Sequence, residues 1–282
     1  MARLADRLRD NVDGDFFVDQ SCIDCDLCRQ LAPDSFARSD RAGQSFVAHQ
    51  PADDRERHRA LMALVTCPTS SIGTTRKLDS RDAARAFPEA VGNGVYFCGY
   101  ASERSYGAAS WLIVRDGGNV LVDSPRAAST LVDRIQALGG IRWMFLTHRD
   151  DVADHAKWHE RFGCERVAHV ADAPKGTERV IDGVCELAPD LRVVPVPGHT
   201  RGSCVLVDRA MHAFTGDHVW GSNDGLEAGR DVCWYSWPEQ KRSMAALAEH
   251  AFVEVFPGHG RRFRARDAGA MQRELRRLAE SM

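Results

Sequence analysis

The stretch IRWMFLTHRDDVADH, residues 141–155, joins a largely apolar run to a group of polar side chains. The run Ile141–Leu146 has the length and composition of a buried strand. The histidines and aspartates after it are residue types that bind metal ions in proteins. Since the end of a strand delivers side chains to one edge of a sheet, the stretch predicts a metal site at such an edge. Its candidate ligands are His148, Asp150, Asp151, Asp154 and His155.

Three later segments repeat the pattern of a strand-like run that is followed by a turn with a polar residue. They contain Gly198-His199, Gly216-Asp217 and Gly258-His259. Glycine tolerates backbone dihedral angles that other residues avoid, so the chain can bend sharply beside each polar residue. Together with the first stretch, these segments predict one shared metal site at the ends of several strands.

Strand and helix signals alternate around these segments, which indicates an α/β arrangement and not a helix bundle or an all-β sandwich. A hairpin is predicted at Asp116–Asn119, where turn residues separate two apolar runs. Strands are predicted over residues 111–114, 120–122, 141–146, 191–196, 204–207, 212–215 and 252–256, and helices over residues 127–138, 154–162 and 238–250.

In this order, the four segments resemble the signature of the metallo-β-lactamase superfamily, which is Thr-His-x-His-x-Asp-His, then Gly-His, Gly-Asp and a final Gly-His. The resemblance covers about residues 93–262 and implies an αββα sandwich with two metal ions at one edge. It implies that one metal is held by His148, Asp150 and His199, the second by Asp154, His155 and His259, and that the bridging ligand is Asp217.

The sequence departs from that signature at its second histidine, where Asp150 stands, and by two extra residues before Asp154. The insertion leaves the local geometry open, so Asp151 is an alternative to Asp150 as a ligand. A carboxylate in place of an imidazole also shifts the preference of a site from zinc towards iron or manganese. We therefore expect two divalent metal ions, either zinc or iron.

Four of the nine cysteines lie in the first quarter of the chain. Three of them are each separated by two intervening residues, and a distant Cys67-Pro68 supplies the fourth. This pattern predicts one [4Fe–4S] cluster, because Ala32 stands where two-cluster ferredoxins carry a further cysteine. It resembles single-cluster bacterial-type ferredoxins over about residues 14–76. A structural zinc site is the alternative. The candidate ligands are Cys22, Cys25, Cys28 and Cys67.

These patterns predict two domains, an α+β ferredoxin-like domain at residues 1–76 and a metallo-β-lactamase αββα sandwich at residues 93–282. A charged, alanine-rich stretch leads into glycine-rich residues between them, which predicts a linker at residues 77–92. Over nearly its whole length the chain resembles a family of fusions between these two domains, found in bacteria and photosynthetic eukaryotes.

The composition excludes some classes of protein. A net charge of −3 argues against a dedicated nucleic-acid-binding protein, which would normally have a basic domain. No apolar stretch approaches the ~20 residues that a membrane helix needs, and the first residues lack the apolar segment of a secretory signal. We therefore expect a soluble, cytoplasmic protein that binds a small-molecule substrate and binds neither nucleic acid nor membranes. If the cluster transfers electrons, we also expect a redox partner protein.

Most members of the superfamily are hydrolases, so the first hypothesis is a metallohydrolase that uses a metal-bound hydroxide on an ester, thioester, lactone or phosphodiester, with Asp154 as the catalytic carboxylate. The cysteines and Asp150 favour a second hypothesis, a diiron oxidoreductase that receives electrons from the cluster and acts on oxygen, nitric oxide or an organic substrate. A third hypothesis is a redox or iron sensor.

An aromatic group of Trp234, Tyr235 and Trp237 lines a substrate pocket or packs in the interior.

Overall fold

The computed structural model describes all 282 residues, and the contacts within it divide the chain into two units. Unit 1 comprises Met1–Val114 and Pro125–Gly140, and unit 2 comprises Arg115–Ser124 and Ile141–Met282. No helix in either unit has the length and apolar character that crossing a lipid bilayer requires.

Unit 1 contains short antiparallel strands and four helices. The strands are β1 (Phe16–Val18) paired with β4 (Ile72–Thr74), β2 (Phe36–Arg38) paired with β3 (Ser45–Val47), and a meander of β5 (Glu89–Gly92), β6 (Val95–Phe97) and β7 (Trp111–Ile113). The helices are α1 (Leu27–Leu31), α2 (Asp54–Thr66), α3 (Arg81–Arg85) and α4 (Ser129–Ala137), with short 3-10 helices at Leu4–Asp6 and Glu103–Ser105.

The segment predicted as a linker, residues 77–92, is ordered in unit 1 and contains α3 and β5. The Phe87 side chain is fully buried, and its ring lies 5.9 Å from the ring of Phe97 and 5.8 Å from that of Tyr100, between centroids. Aromatic rings at such distances stabilise a core beyond the area that they bury. The division of the chain at residue 76 stays a prediction.

Unit 2 contains a run of four parallel strands, β8 (Val120–Val122), β9 (Trp143–Phe145), β10 (Glu165–His169) and β11 (Arg179–Ile181). Helix α5 (His155–Phe162) connects β9 to β10, because parallel neighbours need a crossover connection. All residues of β8 and β9 are buried, as is usual for parallel strands.

A second sheet of unit 2 has six strands in the order β12 (Cys185–Ala188), β13 (Leu191–Pro195), β14 (Cys204–Asp208), β15 (His212–Gly216), β18 (Glu254–Pro257) and β19 (Phe263–Arg264). Neighbours are antiparallel except β15 and β18, which are parallel. The short strands β16 (Trp220–Gly221) and β17 (Leu226–Glu227) form a separate pair. Helices α6 (Trp237–Leu247) and α7 (Ala268–Ser281) contribute Met244, Leu247, Met271 and Leu275 to a core that includes Val205 and Val255.

The predicted strands and helices of unit 2 are confirmed with bounds that differ by a few residues: β9 lies within residues 141–146, β13 within 191–196, and α6 overlaps 238–250. Helix α7 and six strands of unit 2 were not predicted, namely β10, β11, β12, β16, β17 and β19. In β10, Arg166 is 7% exposed and pairs with Glu178, so a charged residue occupies a buried position. A charged residue among the buried positions interrupts the apolar pattern from which a strand is predicted.

Candidate metal centre

Four strand ends of unit 2 carry predicted ligands to one edge. Strands β15 and β18 are parallel with Gly216 opposite Pro257, so their carboxyl ends lie side by side. The N–H of Cys204 donates to the carbonyl oxygen of Thr147 over 2.8 Å, which joins the end of β9 to the start of β14. The residues delivered to this edge are His148 after β9, His199 after β13, Asp217 after β15 and His259 after β18.

Asp217 faces three imidazole rings. Its Oδ2 lies 3.7 Å from Nε2 of His148, 3.6 Å from Nε2 of His199 and 3.8 Å from Nε2 of His259. The rings of His148 and His199 are nearly perpendicular, with centroids 4.7 Å apart. A carboxylate at similar distances from three such nitrogens suits a position between two metal ions.

Asp150 and Asp151 both join this group. Oδ2 of Asp150 lies 3.4 Å from Nε2 of His199 and 3.9 Å from Nε2 of His148, and Oδ2 of Asp151 lies 4.0 Å from Nε2 of His148. Two triplets therefore have ligand atoms within 4.8 Å of one another, His148 with Asp150 and His199, and His148 with Asp151 and Asp217. The structure brings together both carboxylates between which the sequence left the choice open.

Many of these atoms are buried without a hydrogen-bond partner, at a cost on the order of 1–3 kcal/mol for each such group. Gly258 permits the crowding, since a Cβ there would lie 2.7 Å from Oδ1 of Asp217 and 2.8 Å from Oδ2 of Asp151. Imidazole and carboxylate are the donors of zinc, iron and manganese sites, so the residues fit divalent metal ions. The unpartnered atoms are Nε2 of His148, Nε2 of His199, Oδ2 of Asp150, both carboxylate oxygens of Asp151 and Oδ1 of Asp217.

The four cysteines predicted as cluster ligands line one cavity of unit 1, together with Pro68 and Ile72. None of the nine cysteines forms a disulfide bond. Burial raises the pKa of Cys25 and that of Cys28 to about 12. Because metal ligation stabilises the thiolate, an iron–sulfur cluster fits this cavity. The four residues are Cys22, Cys25, Cys28 and Cys67.

Left-handed backbone at Asp24 and Asp26, with φ of 59° and 68°, curls the chain between the cysteines. The Arg29 guanidinium forms ion pairs with the carboxylates of Asp24, at 2.7 Å, and Asp26, at 2.5 Å, and these contacts stabilise the turn. The N–H of Ser71 lies 3.2 Å from Sγ of Cys67 and donates to it. Hydrogen bonds to ligand sulfurs are one of the means by which proteins tune iron–sulfur clusters.

The backbone of Gly107 also approaches the cysteine cavity. A Cβ at Gly107 would lie 2.6 Å from Cβ of Cys25 and 3.1 Å from Cγ of Pro68, so no larger residue fits. Its φ of +83° is a second reason for glycine at this position. The loop around Gly107 is thus in contact with a predicted cluster ligand.

Residues 18–74 match the family model of the 4Fe-4S single cluster domain of Ferredoxin I. Solved structures of metallo-β-lactamase proteins match the remainder of the chain. A superfamily protein from the archaeon Sulfolobus tokodaii is 13% identical, covers 67% of this chain and 86% of its own, and has a TM-score of 0.51. The DIM-1 metallo-β-lactamase is 20% identical, with 68% and 95% covered and a TM-score of 0.52. The enzyme from Erythrobacter litoralis is 19% identical, with 69% and 92% covered and a TM-score of 0.50.

The chain joins a single-cluster ferredoxin domain to a metallo-β-lactamase fold. This finding confirms the predicted architecture. Identities of 13–20% to the solved structures establish the fold and leave the activity open. No curated protein sequence matches the chain.

Within the metallo-β-lactamase fold, burial and neighbouring charges shift the pKa values of the candidate ligands. Burial raises the pKa of Asp151 well above its usual value, and the charge of Asp217 adds to this effect. Burial also acts to raise the pKa of Asp217, but the neighbouring charges of His259, His148 and His199 outweigh it, so that pKa is lowered. Burial lowers the pKa of His148, which favours the neutral imidazole that binds metals.

Contacts behind the two buried histidines orient their rings. Nδ1 of His199 lies 2.6 Å from the carbonyl oxygen of Val232, which can only accept, so Nδ1 carries the proton and Nε2 keeps its lone pair. Nδ1 of His148 lies 2.9 Å from Oγ1 of Thr147, which lies 2.9 Å from Oδ1 of Asp123. When Asp123 is a carboxylate, Thr147 donates to it and accepts from His148. Burial raises the pKa of Asp123 to about 8, and a cation in the centre would favour the carboxylate.

Asp154 and His155 belong to neither of the two triplets. Oδ1 of Asp154 lies 3.0 Å from Nζ of Lys157, and Nδ1 of His155 lies 3.0 Å from a terminal nitrogen of Arg166. A guanidinium only donates, so Nδ1 of His155 accepts that hydrogen bond and the other ring nitrogen carries the proton of the neutral ring. Because Nε2 then carries the proton, this contact does not favour a metal at Nε2 of His155. The predicted roles of Asp154 and His155 stay predictions.

Two buried groups beside the centre, His218 and Asp172, were not among the predicted ligands. His218 is 1% exposed with no partner at either ring nitrogen, and burial lowers its pKa to about 3. Asp172 accepts a hydrogen bond from the Thr200 hydroxyl and so supports the turn that carries His199. A histidine next to an aspartate and an aspartate in a loop have no distinctive pattern in a sequence. Only their burial in the tertiary structure singles them out.

Proposed function

We propose that this protein is an enzyme whose metallo-β-lactamase fold holds two divalent metal ions and hydrolyses an ester, thioester, lactone or phosphodiester of a small molecule. The proposal is supported by the convergence of buried, unpartnered ligand atoms from three strand ends, with His259 facing Asp217 from a fourth. The side chains of Asp150 and His259 are 26% and 29% exposed, so the substrate can reach the centre from solvent on this side.

In this proposal one metal is held by His148, Asp150 and His199, and the second by Asp151, Asp217 and His259, with Asp217 shared. Asp151 takes the place of Asp154 because both of its carboxylate oxygens are buried without a partner, whereas Asp154 contacts Lys157. Bound metal ions supply an activated water molecule and polarise the carbonyl or phosphoryl oxygen under attack.

The residues around the centre orient ligands and accept protons. Val232 and Thr147 hold the two buried imidazole rings with Nε2 towards the centre. Asp150 is the most exposed of the three grouped carboxylates, so it is the group best placed to accept a proton on the open side. Asp154 is the alternative proton acceptor, and its Oδ1 lies 3.0 Å from Nζ of Lys157.

The test is an assay of anaerobically purified protein after reconstitution with zinc, iron or manganese. The substrates are p-nitrophenyl acetate, a short-chain acyl thioester, a γ-lactone and bis-p-nitrophenyl phosphate. We expect turnover without a reductant and a loss of at least about 100-fold in Asp151→Ala, since changes outside the ligand set alone cost 10–100-fold. The exposed Asp116→Ala is the matched control and should retain activity. Absence of turnover with every metal and substrate would contradict the proposal.

A diiron oxidoreductase is the second candidate, and the carboxylate-rich centre favours it. Asp150, Asp151 and Asp217 supply oxygen donors, a set that suits iron or manganese. The ferredoxin domain, with a redox partner protein as its electron source, would supply electrons. Consumption of oxygen or nitric oxide with a chemical reductant, abolished in Cys22→Ala, would support this candidate. Reductant-independent hydrolysis that survives Cys22→Ala would exclude it as the main activity.

A further inference from the structure

The loop of residues 230–236 in unit 2 presents three large apolar side chains to solvent. Val232, Trp234 and Tyr235, here called the apolar wall, are 40%, 60% and 50% exposed. Scattered single apolar residues are common on protein surfaces, but a contiguous group is typical of a binding site. The position of this group relative to the metal centre is therefore informative.

The backbone of the apolar wall is hydrogen-bonded to the turn that carries His199. The N–H groups of Trp234 and Tyr235 both donate to the carbonyl oxygen of His199, over 2.9 Å and 3.0 Å. The N–H of Ser236 donates to the carbonyl oxygen of Gly198 over 3.0 Å, and Nδ1–H of His199 donates back to Val232. These bonds fix the apolar wall relative to a candidate metal ligand.

The Trp234 ring is the part of the apolar wall nearest to the centre. Its centroid lies 6.2 Å from that of the His199 ring, with 57° between the ring planes. Trp237 behaves differently, since it is half-buried and its Nε1–H donates to the carbonyl oxygen of Met282 over 3.2 Å. The aromatic group of the sequence therefore divides into two exposed rings beside the centre and one ring that packs.

We propose that the apolar wall binds the apolar acyl or aryl part of the substrate, so that the enzyme acts on esters or thioesters with an apolar acyl group. This inference rests on the proposed hydrolysis at the neighbouring metal centre. A buried tryptophan or tyrosine contributes roughly 150–250 Å² of contact, which suits an aryl ring or a short alkyl chain. A stable protein partner needs about 800 Å² on each side, far more than three side chains provide.

The first test measures binding, because binding does not depend on turnover. Metal-loaded full-length protein is titrated calorimetrically with 4-phenylbutyrate and with butyrate. We expect the phenyl compound to bind at least about tenfold more tightly, which is the low end for an apolar group in a fitting pocket. In Trp234→Ala this preference should be lost, and in Trp234→Phe most of it should remain. Trp237→Phe, the matched control, should keep the wild-type preference.

The second test compares kcat/KM for p-nitrophenyl phenylacetate and p-nitrophenyl acetate. We expect the ratio to fall about tenfold in Trp234→Ala, because only the phenylacetyl ester has an aryl group that loses its contact. Tyr235→Ala should lower the ratio in the same direction, and it serves as the second variant if Trp234→Ala does not fold by circular dichroism.

The outcomes separate this inference from the proposed function. If no ester is hydrolysed but the binding preference depends on Trp234, the hydrolase fails and the apolar wall stands as a binding site. If the preference for the phenyl compound is absent, or persists unchanged in both Trp234→Ala and Tyr235→Ala, the inference is overturned. A change of oligomeric state in Trp234→Ala, with the preference intact, overturns it in favour of a second copy of the chain.

Discussion

The cysteine site and the metal centre differ in how their residues are distributed along the chain. The cysteine site takes three of its four side chains from the segment Cys22–Cys28 and the fourth from Cys67. The candidate metal centre takes its side chains from four strand ends between His148 and His259. Local spacing is visible in a sequence, whereas a group of strand ends becomes a site only when the strands pair.

The two sites also differ in how neighbouring charges act on their buried acidic groups. Burial raises the pKa of the Cys25 thiol to about 12, so without a bound metal this side chain is a neutral thiol. Neighbouring histidines instead lower the pKa of Asp217, so the metal centre contains buried charge that depends on other charges. We therefore expect the two sites to respond separately when either is changed.

The largest expected effect is the loss of the cluster in Cys22→Ala. A [4Fe–4S] cluster contributes about four irons per chain, and losing one of its thiolates should remove them together with the visible absorbance. Metal content of the His/Asp centre should stay at the wild-type value. Cys185→Ala, which changes a half-buried cysteine outside the cavity, is the control. Loss of metal from both sites in Cys22→Ala would break the separation between them.

The reciprocal change is Asp217→Ala, which removes the carboxylate that faces three histidines. We expect the affinity of unit 2 for metal to fall more than about 100-fold, because substitutions outside the ligand set already cost 10–100-fold. Metal retention is measured by elemental analysis after dialysis against a chelator. Cluster absorbance should be unchanged, and the exposed Asp224→Ala should behave as wild type. Retention of full metal content would show that Asp217 is no ligand.

A smaller effect is expected from Gly107→Ala, with Gly117→Ala as its matched control. Both glycines have positive φ, +83° and +81°, but a Cβ at Gly117 meets nothing within 4 Å whereas one at Gly107 meets Cys25. Both variants should lose about 1 kcal/mol of stability through backbone strain. Only Gly107→Ala should also lower the cluster content, measured as iron per chain. Equal iron contents in the two variants would refute the contact with Cys25.

The smallest effect concerns acid stability at the ion pair that contacts His155. Arg166 lowers the pKa of Glu178 from 4.5 to about 2, through hydrogen bonds first. A lowered pKa means that the stabilisation is present above about pH 4.5 and is lost as the pH falls towards 2. The Tm difference between wild type and Glu178→Gln should shrink over this range, and it should be small because Glu178 is partly exposed. Glu160→Gln, at an exposed position, should give no such pH dependence.

The order of elements in unit 2 was predictable because apolar runs end at glycine-containing turns. Strands β13, β15 and β18 each precede such a turn, and their polar residues meet as expected. The sequence left the choice between Asp150 and Asp151 open, and the structure brings both carboxylates near His148, with Asp151 also packed against Gly258. That contact joins residues about a hundred positions apart in the sequence.

The aromatic residues after position 233 show the same limit. Trp234 and Trp237 are equally apolar, yet one stands exposed beside His199 and the other packs near the end of the chain. Hydrogen bonds from the loop backbone to His199 set this difference. A sequence pattern contains side-chain types but not the backbone contacts that turn them outward.

The sequence by itself determined the two-part organisation, the four candidate cysteine ligands and the order of the strands that end in histidine or aspartate. It could do so because cluster ligation needs short fixed spacings and because burial requires recognisable apolar runs. Only the tertiary structure decided which carboxylates lie beside the buried histidines, which ring nitrogens lack a hydrogen-bond partner and which aromatic rings face solvent. Those properties depend on distances between residues far apart in the chain, and folding alone sets such distances.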